Sequence, residues 1–219
     1  MINYPTQTFL PDRLAPVQQE PIRQGSERHS EHPVERFFLE RWSPRAFRDE
    51  AIPKADLLTM VEAARWAPSA YNHQPWRFFY ARRGDVHWQG FVDLLDTFNA
   101  EWAQNASALI LVASDTLIGA PDDEAPAPSR SHSFDTGAAC SQLAIQATHL
   151  GYHVHVMAGV DFERAHQHLK LPARFRVEVA IAVGRHGDPR QLPEALASRE
   201  LPSQRLPLDQ IAFAGSFPG

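Results

Sequence analysis

Apolar residues recur at helical spacing in several stretches of the chain. Val34, Phe37, Phe38 and Leu39 predict a short amphipathic helix that stops before Pro44, because the residue ahead of a proline disfavours helical angles. Leu57, Leu58, Val61 and Ala64 share one face of a helix over residues 54–67, ended by Pro68. Phe91, Leu94, Leu95 and Phe98 extend a helix over residues 88–102. The strongest pattern covers residues 133–150, where Ala139, Leu143, Ala147 and Leu150 align and Gly151 supplies the stop. Its small residues, Gly137, Ala138, Ala139 and Ala144, allow a neighbour to approach closely. A further short helix falls at residues 162–169. Continuous apolar or β-branched runs predict strands at residues 76–81, 109–113, 152–156 and 177–183. Helices and strands interleave, so the class is α/β or α+β rather than all-α.

Prolines mark the remaining chain. Pro5, Pro11, Pro16, Pro21 and Pro33 make residues 1–33 an irregular arm, disordered or laid over a surface. The folded domain is expected over residues 34–186. Residues 187–219 form a Pro-rich extension carrying Leu192, Leu196, Leu201, Leu206, Ile211, Phe213 and Phe217, too many apolar groups for a solvated tail. Pro121, Pro126 and Pro128 place a loop at residues 120–133, either a substrate lid or a plain surface excursion.

Composition narrows the function. The 219 residues suit one domain of ordinary size, and the lone Cys140 cannot form an intramolecular bridge. A net charge of −5 leaves no electrostatic footprint for nucleic acid or an anionic membrane. No stretch is long and apolar enough to span a bilayer, and the N-terminus lacks the pattern of a signal peptide. With its single cysteine the chain is expected to be cytoplasmic.

Three constellations carry candidate chemistry. In Arg41-Trp42-Ser43-Pro44-Arg45, the proline keeps the chain extended, so Arg41, Ser43 and Arg45 share a face. They form either a phosphate cradle or a solvated basic patch. In residues 67–76, Ser69, Asn72 and Gln74, which follow Pro68, concentrate hydroxyl and amide groups between a helix and a strand. These read a heterocycle of mixed polarity, or else Asn72 bonds its own backbone in a turn. His153 and His155 share a strand face, with His166 and His168 nearby. No cysteine or carboxylate completes a ligand set by spacing, so no metal is expected. A Gly-x-Ser-x-Gly elbow, a dinucleotide fingerprint and a P-loop are all absent.

In order and spacing, these segments resemble the FMN-dependent nitroreductase family. The matching pieces are Arg41-Trp42-Ser43-Pro44-Arg45-Ala46-Phe47, Ala64-Arg65-Trp66-Ala67-Pro68-Ser69-Ala70-Tyr71-Asn72-His73-Gln74-Pro75-Trp76-Arg77-Phe78 and Asp135-Thr136-Gly137. They continue with Gly151-Tyr152, Met157-Ala158-Gly159-Val160-Asp161, Val183-Gly184-Arg185 and Leu201-Pro202-Ser203-Gln204-Arg205-Leu206-Pro207. The resemblance implies an α+β fold with a mixed central sheet flanked by helices. It further implies an intertwined homodimer with FMN at the interface and the extension 187–219 reaching the partner subunit.

Carried over by residue, Arg41, Trp42, Ser43, Arg45 and Arg205 match positions around the phosphate and ring edge. Pro68, Ser69 and Asn72 match a loop that contacts the flavin. Met157, Ala158 and Gly159 match a turn whose backbone N–H groups point at N5 and O4. No side chain is implied as acid or base, since the chemistry centres on the flavin. Ala158 stands where an acidic residue is common, and would act through its backbone. Ser203 stands where a lysine often precedes the arginine, with Arg185 as the candidate replacement. The implied activity is reduction of a small-molecule acceptor, such as a nitroaromatic or quinone, with NAD(P)H in a ping-pong cycle. The alternatives are a flavoenzyme acting on an activated alkene or with O₂, or a flavin-binding protein without turnover.

Overall fold

The structure, a computed structural model, describes residues 28–120 and 123–218; residues 1–27 of the expected arm lie outside the described residues. Helix α1 (Arg36–Glu40) is followed by α2 (Lys54–Arg65) and strand β1 (Trp76–Arg82). Next come α3 (Trp88–Val92), α4 (Thr97–Ala103) and β2 (Ala108–Asp115). The two-residue strands β3 (Leu117–Ile118) and β4 (Ala127–Pro128) pair as a small hairpin inside the loop before α5 (His132–His149). Strand β5 (His153–Met157), α6 (Phe162–His168), β6 (Phe175–Gly184) and the short α7 (Glu194–Ala197) complete the chain. The class is α+β, and no helix of the described residues is long and apolar enough to cross a membrane.

The main sheet has the order β1-β2-β6-β5, and each pairing is antiparallel. A mixed sheet was expected; among the described residues no parallel pair is present. The reason lies in α5, which carries the chain back along the sheet. Strands β2 and β5 consequently point the same way, but β6 lies between them and opposes both.

Alternation along β2 builds the core on both faces. Leu109 and Leu111 join Phe47, Phe91, Trp102, Met157 and Leu196 on one face. Ala108, Ile110 and Val112 join Leu57, Met60, Leu143 and Val183, beneath α2 and α5, on the other. All eight residues of β2 are buried, which is why this strand reads as a continuous apolar run.

The helix expected over residues 88–102 is two helices. Leu95 forms a bridge with Val160, and the Asp96 carboxylate accepts the Asn99 N–H as the N-cap of α4. These contacts break the chain between Val92 and Thr97. The chain beyond Gly187 first folds back on its own core, burying Leu192, Leu196 and Glu200. Its large exposed apolar residues begin at Leu201, with Leu206, Ile211 and Phe217 further on.

Leu143 is fully buried between α2 and the sheet. Leu143→Ala should destabilise the protein by about 2–5 kcal/mol. A urea unfolding midpoint that falls at unchanged m-value would bear this out.

Candidate functional site

The segment 41–47 is pinned against β5 and its surroundings. The Trp42 ring meets His153 edge-on at 5.8 Å and His186 at 5.1 Å. The His155 Nδ1–H donates to the Pro44 carbonyl at 2.9 Å, which fixes its tautomer. Phe47 is fully buried and stacks on Trp102 at 6.3 Å. Residues 42 and 44 thus follow residues 153 and 155 along the strand. The backbone is closed off by Glu200, whose buried carboxylate accepts the N–H groups of Arg45 (2.6 Å) and Ala46 (2.7 Å).

On this segment Arg41 and Ser43 lie together, with Arg41 Nη1 donating to Ser43 Oγ at 3.4 Å. The Arg45 guanidinium instead lies 5.9 Å from the Trp102 ring. Arg205 joins the first pair from the C-terminal tail, its Nη1 donating to the carbonyl (3.2 Å) and hydroxyl (3.1 Å) of Ser203. Burial, and then the charge of Arg205, pull the Arg41 pKa below its ordinary value. Arg28 enters the same cluster, its pKa lowered by burial, then by Arg205 and Arg41. Guanidiniums that disfavour one another at a half-buried place are stabilised by an anion.

Arg185, the candidate replacement for a lysine at Ser203, is engaged elsewhere. It pairs with Glu50 at 3.3 Å, donates to the Gly151 carbonyl and covers the Tyr152 ring at 4.4 Å.

At the end of β5, Met157 is buried and the chain turns through Ala158 and Gly159. The Gly159 carbonyl accepts the Asp96 N–H at 3.0 Å. A Cβ on Gly159 would fall on the Asp96 and Asn99 side chains, so the turn requires glycine. Among the described residues neither the Ala158 nor the Gly159 N–H finds an acceptor.

The loop 68–75 is wound tightly. Tyr71, Asn72 and Gln74 all take left-handed backbone angles, with φ of 52–53°. Such geometry in non-glycine residues costs of order 1–3 kcal/mol each, least for Asn. The Ser69 hydroxyl accepts the Gln74 N–H at 3.0 Å, and Asp135 on α5 accepts the Ala70 N–H at 3.1 Å. The turn is therefore held by Ser69 and Asp135. The exposed Asn72 carboxamide has no hydrogen bond among the described residues.

One chain does not bring this loop to the basic cluster. The loop is tied to Asp135 in the first turn of α5, whereas α1, just ahead of Arg41, packs its Phe37 on His149 in the last turn. At 1.5 Å per residue the two ends lie about 21 Å apart. Strands β1 and β5, which carry the loop and the segment, are also opposite edges of the sheet.

Spacing alone concealed Arg28, Glu200, Asp135 and Trp102. Of these only Asp135 lay in a quoted motif.

Residues 39–185 match the nitroreductase family, and the chain belongs to that family. It is an oxidoreductase by that membership. A solved structure described as an oxidoreductase containing FMN is 48% identical, covers 90% of this chain and 100% of its own, and superposes with a TM-score of 0.86. A Streptococcus pyogenes relative named "Putative NAD(P)H nitroreductase Spy0809" is 27% identical over 197 residues, covering 78% of this chain and 94% of its own. The nitroreductase family protein of Streptococcus pneumoniae TIGR4, 23% identical over 81% of this chain and 98% of its own, shares the fold with a TM-score of 0.63.

Burial holds His153 and His155 each at a pKa of about 4, with the charge of His186 a second cause at His153. Their folded pKa lies below the ordinary value of 6.5, so the unfolded chain binds protons first as pH falls. Stability conferred by the neutral rings is complete above about pH 6.5 and declines toward pH 4. The melting temperature should thus drop between about pH 6.5 and 5, above the usual carboxylate range. His153→Gln should flatten that slope in a pH series of thermal melts.

Proposed function

We propose that the protein is an FMN-dependent oxidoreductase. It takes hydride from NAD(P)H and passes two electrons to a small-molecule acceptor of the nitroaromatic or quinone kind, in a ping-pong sequence and as a homodimer. The observation that carries this reading is the pair of features at the two ends of β5. At its start stand Arg41 and Arg205, half-buried and exposed cations without a carboxylate partner among the described residues, with the Ser43 hydroxyl beside Arg41. Just past its end stand the Ala158 and Gly159 N–H groups, without an acceptor among the described residues. Five strand residues span about 17 Å, comparable with a flavin mononucleotide stretched from phosphate to ring.

The chain's residues fit the cofactor in chemistry as well as spacing. Arg41 and Arg205 would hold the phosphate by charge-assisted bonds, with the Ser43 hydroxyl between them. Trp42, wedged by His153 and His186, fixes the backbone on which both neighbours depend. Arg45 would stand toward the ring edge. Ala158 and Gly159 would donate to the N5 and O4 edge from a turn that the Gly159 packing keeps rigid, and buried Met157 anchors that turn. Bound FMN would supply reversible two-electron transfer between a nicotinamide and the acceptor. No acid or base side chain is assigned.

Pro68, Ser69 and Asn72 complete the site only if they come from a second copy, because each chain holds its own loop far from its own Arg41. A carboxamide without an internal partner, on a loop strained into shape, suits contact with a heterocycle across such an interface. The exposed Leu206, Ile211 and Phe217 suit a tail covered by the second copy.

Initial rates against NAD(P)H at several acceptor concentrations should give parallel double-reciprocal lines. Anaerobic NAD(P)H alone should bleach the bound flavin, and a nitroaromatic or quinone should restore its colour. A yellow protein bleached by neither NADH nor NADPH would leave flavin binding without this turnover.

A further inference from the structure

Arg28 lies ahead of the folded domain expected from sequence, yet its guanidinium is built into the basic cluster. Its Nη1 donates to the carbonyls of Arg41 at 2.7 Å and Leu39 at 3.1 Å. Its Nε donates to the Ser203 carbonyl at 2.9 Å, the same oxygen that accepts from Arg205 Nη1. Sharing that acceptor holds the Arg28 and Arg205 guanidiniums side by side. Leu39 and Arg41 carbonyls set the other end of the fork against the backbone of the 41–47 segment. Three of the five guanidinium N–H donors are occupied this way, and the Nη2 pair has no acceptor among the described residues.

The surroundings do not neutralise this charge. A pocket of ≈ 210 Å³ opens between Arg28, Phe38, Leu39, Glu31 and Arg205. The Glu31 carboxylate at its margin takes the Leu208 N–H at 2.9 Å and forms no ion pair with Arg28. Ser203, between the two guanidiniums, offers a hydroxyl and no charge. Arg185 is spent on Glu50. The cluster therefore gains its third cation from a residue 175 positions away from Ser203 in sequence.

We propose that Arg28 is a phosphate-specifying residue, supplying with Arg41 and Arg205 the third positive charge for the FMN phosphate. This rests on the FMN reading above. The competing role is a latch, in which Arg28 only ties residues 39–41 to residue 203. The two roles differ in what a lysine can replace. A latch needs the guanidinium fork that spans the Leu39, Arg41 and Ser203 carbonyls, which lysine cannot form. A phosphate ligand needs the charge, which lysine keeps, so only the phosphate role predicts that Arg28→Lys preserves the preference for FMN over riboflavin.

The test titrates the full chain, and its Arg28→Gln and Arg28→Lys variants, with FMN and with riboflavin by flavin fluorescence quenching. Circular dichroism checks that each variant is folded. Arg28→Gln should weaken FMN binding by about tenfold or more, the usual scale for losing a charge-assisted contact, and leave riboflavin within about twofold. Arg28→Lys keeps the charge and should retain most of the preference for FMN, so it carries the test if the glutamine variant does not fold. Equal weakening of both flavins, no change in either, or an Arg28→Lys chain that loses the preference for FMN as fully as Arg28→Gln overturns the proposal while leaving the FMN reading itself standing. A wild-type chain that binds neither flavin overturns the cofactor reading itself, and this proposal with it.

Discussion

The seating of residues 41–47 on β5 governs where Arg41 and Ser43 stand relative to the turn at Ala158 and Gly159. Trp42 between His153 and His186, His155 on the Pro44 carbonyl, and Phe47 on Trp102 are three separate anchors along one short segment. Buried Glu200 accepts two of its N–H groups. With the segment fixed at both ends, Arg41 and Ser43 have one place to stand. The turn at Ala158 and Gly159 follows from the same strand, so the basic cluster and the two backbone donors proposed to hold the flavin share a rigid base.

Electrostatics give this arrangement its direction. Arg28, Arg41 and Arg205 are brought together against mutual repulsion, and burial of Arg28 and Arg41 adds to the cost. Hydrophobic packing of the segment and carbonyl hydrogen bonds to Arg28 offset that cost in the fold. A phosphate would remove it. The same logic applies to the strained loop at Tyr71, Asn72 and Gln74, held by Ser69 and Asp135 in a shape that its own chain does not otherwise use.

Much of the fold was legible because its signals are local. The 3.6-residue period of Leu57, Val61 and Ala64, and the unbroken run in β2, located those elements to within two residues. The split between α3 and α4 was not legible from periodicity, since Phe91, Leu94, Leu95 and Phe98 keep a helical spacing across it. It arises from the long-range bridge between Leu95 and Val160, although Asp96 ahead of Asn99 was an available capping signal. The membership of segments in a site was legible from motif order, but not their division in space. No spacing reveals that Asn72 and Arg41 sit at opposite ends of α5. Arg28 and Glu200 were hidden for a related reason. Each is an ordinary charged residue in a polar stretch until the fold brings it to segment 41–47.

On the proposed reading each site is shared between two copies, the basic cluster from one and the 68–72 loop from the other. Mixed dimers test it directly, formed by coexpressing an Arg41→Ala chain and an Asn72→Ala chain under different affinity tags. Each homodimer should bind flavin weakly at both sites. If the site is shared, the mixed dimer pairs an intact Arg41 with an intact Asn72 at one site and regains tight binding of one flavin per dimer. A mixed dimer that binds as weakly as either homodimer would place all the contacts within one chain and rule out a shared site.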